Sequence, residues 1–343
     1  MSKIGEKDSY ALSCVRVLAC IMIVVCHLFS ASAIPVLRAA AQMLNCAIYI
    51  FFFISGYLFS TRCIEKPCSW LKNRWLRLAV PEYIYIIIAI IYCSVLTGAF
   101  AMPLKGFAVW LFNLQGFVPM GLQEGVTGHL WFLTFIAVCY LITPLLQKLQ
   151  SKKNFVKLML VAALVLLQSG LYLLFKQPCF QFMAGVAVYT GAYFFAEPLL
   201  RGLNWKTVLA VGAFAGGAGV LRLVLSKQAE AADGIFAAVY DGAVAVYANV
   251  LIAAFLTLAG IWIVRVAYRV LLPLQKPLLF LDKLSYEIYI VHYMFIQGAV
   301  SLLHSTRFMP INLLLILAAS LLYAILLHWL SSKIMKSIKN LKA

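Results

Sequence analysis

Apolar residues are grouped along this chain in long blocks, with most polar residues gathered between them. Ten blocks run over roughly 11–30, 42–60, 79–99, 129–147, 157–175, 180–200, 207–225, 240–263, 285–303 and 311–330. Each is close to the ~20 residues that a helix needs to cross the hydrocarbon core of a bilayer. With no water there, the backbone must bond to itself, which a helix does within one segment. The pattern therefore predicts an all-α membrane protein of about ten transmembrane helices. They form a single integral-membrane domain over 1–343, with short tails at 1–10 and 331–343. The opening MSKIGEKDSY is polar and the run after it is long enough to span, so no removable leader is expected.

Polar residues inside a block are costly, so those that occur point to function or to packing. Arg16 and His27 interrupt the first block, ALSCVRVLACIMIVVCHLFS. Eleven steps at ~3.6 residues per turn return to almost the same helix face, about 16 Å further along. Arg16 snorkelling to one interface, with His27 at the opposite headgroup level, also fits the pattern. His129 and Trp131 open the fourth block, where interfacial anchoring is the alternative to a second histidine facing a cavity. The ninth block, SYEIYIVHYMFIQ, is unusually polar. Ser285 and His292 share a helix face, with Tyr289 one turn from both; interhelical hydrogen bonding is the plainer role for them. Glu287 points elsewhere, to solvent or a loop cation. His304 and His328 carry no signal. Spans five to seven hold few ionisable groups and read as packing helices. The second block ends in Ser-Gly-Tyr, a small-residue spot that permits close helix approach.

Composition bears on topology more than on chemistry. The chain is 64% hydrophobic and 11% charged, with mean hydropathy +0.97, which excludes a soluble domain. Its net charge of +17 raises the question of nucleic acid. The distribution of charge answers it. With the N-terminus inside, 21 of the 28 Lys and Arg fall in inner segments. Only Arg38, Lys105, Lys176, Arg222, Lys227 and Arg307 fall outside, and Arg16 lies within a span. This asymmetry places both termini in the cytosol and makes the bilayer, not nucleic acid, the partner of the basic charge.

One inner stretch asks for more. TRCIEKPCSWLKNRWLRLAVPEY is amphipathic and basic, with Trp70 and Trp75 suited to the interface and Pro81 expected to open the third span. Arg74 and Arg77 are three apart and Lys72 adds charge; paired guanidinium forks match phosphate geometry. The longer outer loops carry acids, Glu124 in one and Glu230 and Asp233 in the other. Six of the nine cysteines fall in spans, and Cys63 and Cys68 fall in a cytoplasmic loop where thiols stay reduced. No Cys/His spacing suggests zinc, and no metal is expected.

Taken in order, R-x10-H in span one, FFFISGYLF, RWLRLAVP, GHLWFLTFIAVCYLITPLL and SYEIYIVH resemble the acyltransferase-3 family over essentially the whole chain. These are bacterial integral-membrane O-acyltransferases. The nearest kind is the short form without an appended soluble domain, which O-acetylates surface polysaccharides. The resemblance implies that His27 is the catalytic histidine, paired with Arg16, and that His129 lies in the HLWF element. It implies that Arg74 and Arg77, with Lys72 beside them, engage an acyl-CoA donor. Ser285, Tyr289 and His292 match a ninth-span pattern that supports substrate or structure. Acetyl-CoA as donor, a glycan or lipid-linked sugar as acceptor, and a multi-pass place in the bacterial cytoplasmic membrane follow from the same resemblance. One departure is local: many members carry an acid three residues before the arginine, where this chain has Ser13.

The expectation is physically coherent. The phosphates of coenzyme A stay at a cationic cytosolic mouth. The slender pantetheine arm is comparable in length to the ~16 Å between Arg16 and His27. His27 then takes the proton of a glycan hydroxyl, or carries the acyl group in passing. The rival reading is a transporter of a small polar or glycan-related solute. Against it, the chain shows neither repeat symmetry nor matched Gly/Pro-broken helices.

Overall fold

The computed structural model describes residues 5–98, 104–118, 126–232, 234–298 and 300–340; Glu124 and Asp233 lie outside them. Regular structure among the described residues is helical throughout. In chain order the helices are α1 (Glu6–Ser30), α2 (Pro35–Leu44), α3 (Ala47–Ser60), α4 (Pro67–Thr97), α5 (Leu104–Leu111), α6 (Trp131–Leu149), α7 (Asn154–Phe175) and α8 (Pro178–Phe182). They continue with α9 (Ala184–Arg201), α10 (Trp205–Ala231), α11 (Ile235–Val239), α12 (Ala245–Val266), α13 (Tyr268–Leu271), α14 (Gln275–Val291) and α15 (Met309–Asn340). Nine helical stretches among the described residues are long and apolar enough to cross a membrane. The chain is a polytopic all-α membrane protein.

Three elements differ from the hydrophobic pattern. Pro81, expected to open the third span, sits inside α4, which runs unbroken from the basic stretch into the apolar one. Proline removes one ladder hydrogen bond, and membrane helices tolerate this when neighbours satisfy the freed groups. Close to the break, the Tyr286 hydroxyl donates to Leu78 O at 2.6 Å. The ninth expected span, 285–303, is replaced by α14, which starts well before Ser285 and tightens at His292 into a 3-10 turn through Phe295. The expected C-terminal tail is helical to Asn340 as the end of α15.

Two compact units divide the described structure. The first gathers Met1–Ala19, Asn45–Glu65 and Val138–Leu279. In it α3 lies directly on α9, at the small-residue spot visible in the sequence. A Cβ at Gly56 would stand 2.3 Å from Tyr189 O, so only glycine lets the two backbones approach this closely. Arg265 of α12 donates to Asp8 of α1 and to Leu200 O of α9, each at 2.7 Å. Arg222 and Asn249, both buried, bond at 2.5 Å between α10 and α12. α7 and α10 turn much of their apolar surface outward, with Leu166 and Phe214 more than two-thirds exposed, as helices facing lipid do.

The second unit gathers Cys20–Leu44, Lys66–Ala137 and Phe280–Ala343. Val24, Leu28, Ile296, Leu303 and Ile316 form its apolar core. The stretch after α5, expected to be a plain outer loop, folds back onto α4 and α6. Tyr83 donates to Leu111 O, and Asn113 takes the left-handed conformation at φ 55°, a region asparagine enters more readily than most residues. Gly116 N–H then donates to Thr134 Oγ1 at 2.8 Å. The anchor for this return is Glu82, fully buried at the middle of α4. Its carboxylate accepts from Asn113 Nδ2 at 2.7 Å and Gln115 Nε2 at 2.8 Å.

Candidate active site

Within the second unit, three histidines from separate parts of the chain meet. His27 comes from the last turns of α1, His129 from the 3-10 turn Gly128–Leu130 before α6, and His292 from the turn that ends α14. His27 Nδ1 and His292 Nε2 are 2.7 Å apart. The two rings are within 11° of parallel, with centroids 5.0 Å apart. That separation equals the nitrogen–nitrogen distance plus one ring radius on each side. The rings therefore lie edge to edge rather than face to face, as a linear N–H···N bond requires. His129 stands across them, its centroid 5.0 Å from His292 and 6.1 Å from His27.

The end of α14 holds this arrangement. A helix leaves its last carbonyls without amide donors from the next turn. Here Ile288, Tyr289 and Ile290 present theirs to imidazole. His292 Nδ1 lies 2.8 Å from Tyr289 O and 3.2 Å from Ile288 O, and His129 Nε2 lies 2.9 Å from Ile290 O. The Tyr289 hydroxyl donates to His129 O, fixing the 3-10 turn against α14. His129 and His292 are almost completely buried, while His27 is half-buried. Of the three, His27 is the most exposed. Among the described residues, His129 Nδ1 has no hydrogen-bond partner. No set of three His, Cys, Asp or Glu among these residues is placed to hold a metal ion.

The other expected site residues are distributed as follows. Ser285 is buried, but its hydroxyl donates to Asp282 O at 2.8 Å, away from the histidines. Arg16 is half-buried in α1, on the same unbroken helix as His27. Ser13 is buried, and Asp8, an acid of α1 two turns before Arg16, pairs with Arg265. Lys72 and Arg77 are exposed on the early turns of α4, and the Arg74 guanidinium lies 5.6 Å from the centre of the Trp70 ring.

Several residues were not singled out from the sequence. Tyr293 stacks on His129, with centroids 4.8 Å apart and planes 28° apart, and meets His27 edge-on at 5.0 Å. Its signal was adjacency to His292 in a polar block. Glu82 was a lone carboxylate inside an apolar run, itself a functional flag. Glu287 is buried and pairs with His328 Nδ1 at 2.7 Å, joining two residues whose separate sequence contexts gave no hint of each other. In the first unit, a crevice of about 270 Å³ beside Tyr49, Phe53, Val161 and Val250 is lined almost wholly by apolar groups and holds no comparable cluster.

The family model described as an acyltransferase domain, that of the acyltransferase-3 family, matches residues 9–331. No curated protein and no solved structure matches the chain. With a family match over nearly its whole length and a polytopic helical fold, this chain belongs to the acyltransferase-3 family and is a membrane acyltransferase.

Proposed function

We propose that this protein moves an acetyl or short acyl group from cytosolic acyl-CoA to a hydroxyl of a surface or lipid-linked glycan, with His27 as general base. The observation that carries the reading is a half-buried histidine set among buried ones, in a chain of an acyltransferase family. His27 Nδ1 is engaged by His292, which leaves Nε2 as the edge available to a substrate. In the reaction, the acceptor O–H gives its proton to His27 as the oxygen attacks the thioester carbonyl. Collapse of the tetrahedral intermediate breaks the C–S bond, and the same proton passes to the departing thiolate.

The spacing in the second unit supports the donor assignment. Tyr286 of α14 bonds Leu78 of α4 at one level. One turn further along both helices, Tyr289 bonds His129 O, and Gln115 joins Leu130 O to Glu82. The two helices thus run side by side in the same direction. By helix rise, Arg77 and Arg74 lie about 10–15 Å from His292 along this axis, a distance that suits a pantetheine arm between phosphates and thioester. Arg74, Arg77 and Lys72 hold the phosphates in this reading. Both termini face the cytosol of a bacterial cell, and the acceptor arrives from the outer side of the cytoplasmic membrane.

The test is purified protein in lipid nanodiscs with labelled acetyl-CoA and a panel of glycan acceptors. Label should move to an acceptor hydroxyl with release of free CoA. His27→Ala should lower that turnover about 10²–10⁴-fold, the range for removing a positioned general base, while retaining CoA binding. Normal turnover in His27→Ala overturns the assignment.

A further inference from the structure

The chain of hydrogen bonds around His27 fixes more than its position. A carbonyl oxygen only accepts, so His292 Nδ1, within 2.8 Å of Tyr289 O and 3.2 Å of Ile288 O, carries a proton and donates it there. A neutral His292 then presents a lone pair at Nε2. That lone pair faces His27 Nδ1 at 2.7 Å in the common plane of the two rings. His27 must therefore be the donor in this bond, with its proton on Nδ1 and its own lone pair on Nε2.

We infer that His292 is the positioning residue of the reaction: through its bond to His27 it selects the tautomer in which Nε2 of His27 is the base. This rests on the proposed role of His27. It assigns His292 the place that a carboxylate holds in a Ser-His-Asp triad, where the third residue sets tautomer and ring orientation. The difference is chemical. A carboxylate brings a fixed negative charge, whereas His292 brings a neutral acceptor buried beside the negative end of the α14 dipole. When the acceptor proton reaches His27 Nε2, the ring becomes an imidazolium whose Nδ1–H still points at His292 Nε2. Its charge is met by that lone pair and, through His292 Nδ1–H, by the carbonyls of Tyr289 and Ile288. The proton then leaves Nε2 for the thiolate of CoA, and the pair returns to its starting state with no proton gained or lost.

Without His292, nothing in this bond favours Nδ1–H on His27, and free imidazole prefers its proton on Nε2. A His27 with Nε2–H has no lone pair to offer the acceptor. His292→Leu removes the bond at similar volume, whereas His292→Gln can place an amide oxygen near the position of Nε2. We expect His292→Leu to lower kcat by up to about 10⁴-fold, the loss that the wrong tautomer causes in a triad, with KM for acetyl-CoA within about twofold of the parent. His292→Gln should recover at least about tenfold of that loss. A merely structural role would lower both variants alike and raise KM with them, and that result overturns the inference.

The direct readout needs no variant to be active. In protein with ¹⁵N-labelled histidine, reconstituted in lipid, the ring nitrogen shifts report the tautomer. His27, assigned by its absence from the His27→Ala spectrum, should show a protonated Nδ1 hydrogen-bonded to nitrogen and an unprotonated Nε2. A protonated Nε2 on His27 overturns the inference even if transfer is robust. Failure of acyl transfer in the parent protein would instead overturn the proposed reaction, and the nitrogen assignment would be judged on the spectrum alone.

Discussion

At the scale of single residues, the second unit depends on a few buried polar groups that satisfy one another across long stretches of chain. Glu287 and His328 are the clearest pair outside the histidine cluster, 2.7 Å apart with Glu287 buried. Removing one member of such a pair strands the other in a medium that cannot solvate it. His328→Ala should therefore cost about 3 kcal/mol of stability, read as a lowered thermal midpoint in detergent. His328→Ala combined with Glu287→Leu should recover most of that loss, because the stranded carboxylate is then gone. Among the described residues the two side chains bond each other and not the histidines of the cluster, so transfer measured at low temperature should survive in the double variant.

Elements are held together here by close backbone approach as much as by side-chain interlocking. Gly116 shows this beside the site. A Cβ there would meet Thr134 Cβ at 2.8 Å, Phe135 Cε2 at 2.9 Å and Trp131 O at 2.9 Å. The backbone oxygen cannot yield without moving α6, and α6 follows directly on the turn that carries His129. Gly116→Ala should cost about 1–3 kcal/mol by overpacking and should lower acyl transfer together with the thermal midpoint. Gly217 is the control. It lies within α10 with open space where a Cβ would stand, and alanine is the better helix former by up to ~1 kcal/mol. Gly217→Ala should hold or raise the midpoint.

Across the whole molecule, the charge asymmetry makes a prediction of topology. Cys63 and Cys68 are free and exposed, Cys63 between α3 and α4 and Cys68 in the first turn of α4. If the basic segments face the cytosol, a membrane-impermeant maleimide should label both in inverted vesicles and neither in intact cells. The measurement is mass-shift labelling in a chain with the half-buried Cys14 and Cys179 changed to serine. Labelling from outside would reverse the proposed direction of the donor.

The chain's own pattern determined where most of the spans lie, which residues inside them are polar, and which family their order matches. Span hydrophobicity and helical face are local properties, set by composition and by a repeat of ~3.6 residues, so they can be read from neighbours in sequence. The alignment of Arg16 with His27 and the close-packing spot at Gly56 belong to this class. The tertiary structure alone decided that His27 meets His292 rather than lining a cavity by itself, that α14 ends where its carbonyls can receive imidazole protons, and that Glu82 draws an apparent loop back to the middle of α4. It also decided that Ser285, on the same helix face as His292, bonds its own backbone instead. These outcomes join residues as far apart as 27 and 292, whose contact leaves no mark on the residues beside either. Which nitrogen carries a proton depends on the acceptor that packing brings to it, and packing is a property of the folded chain.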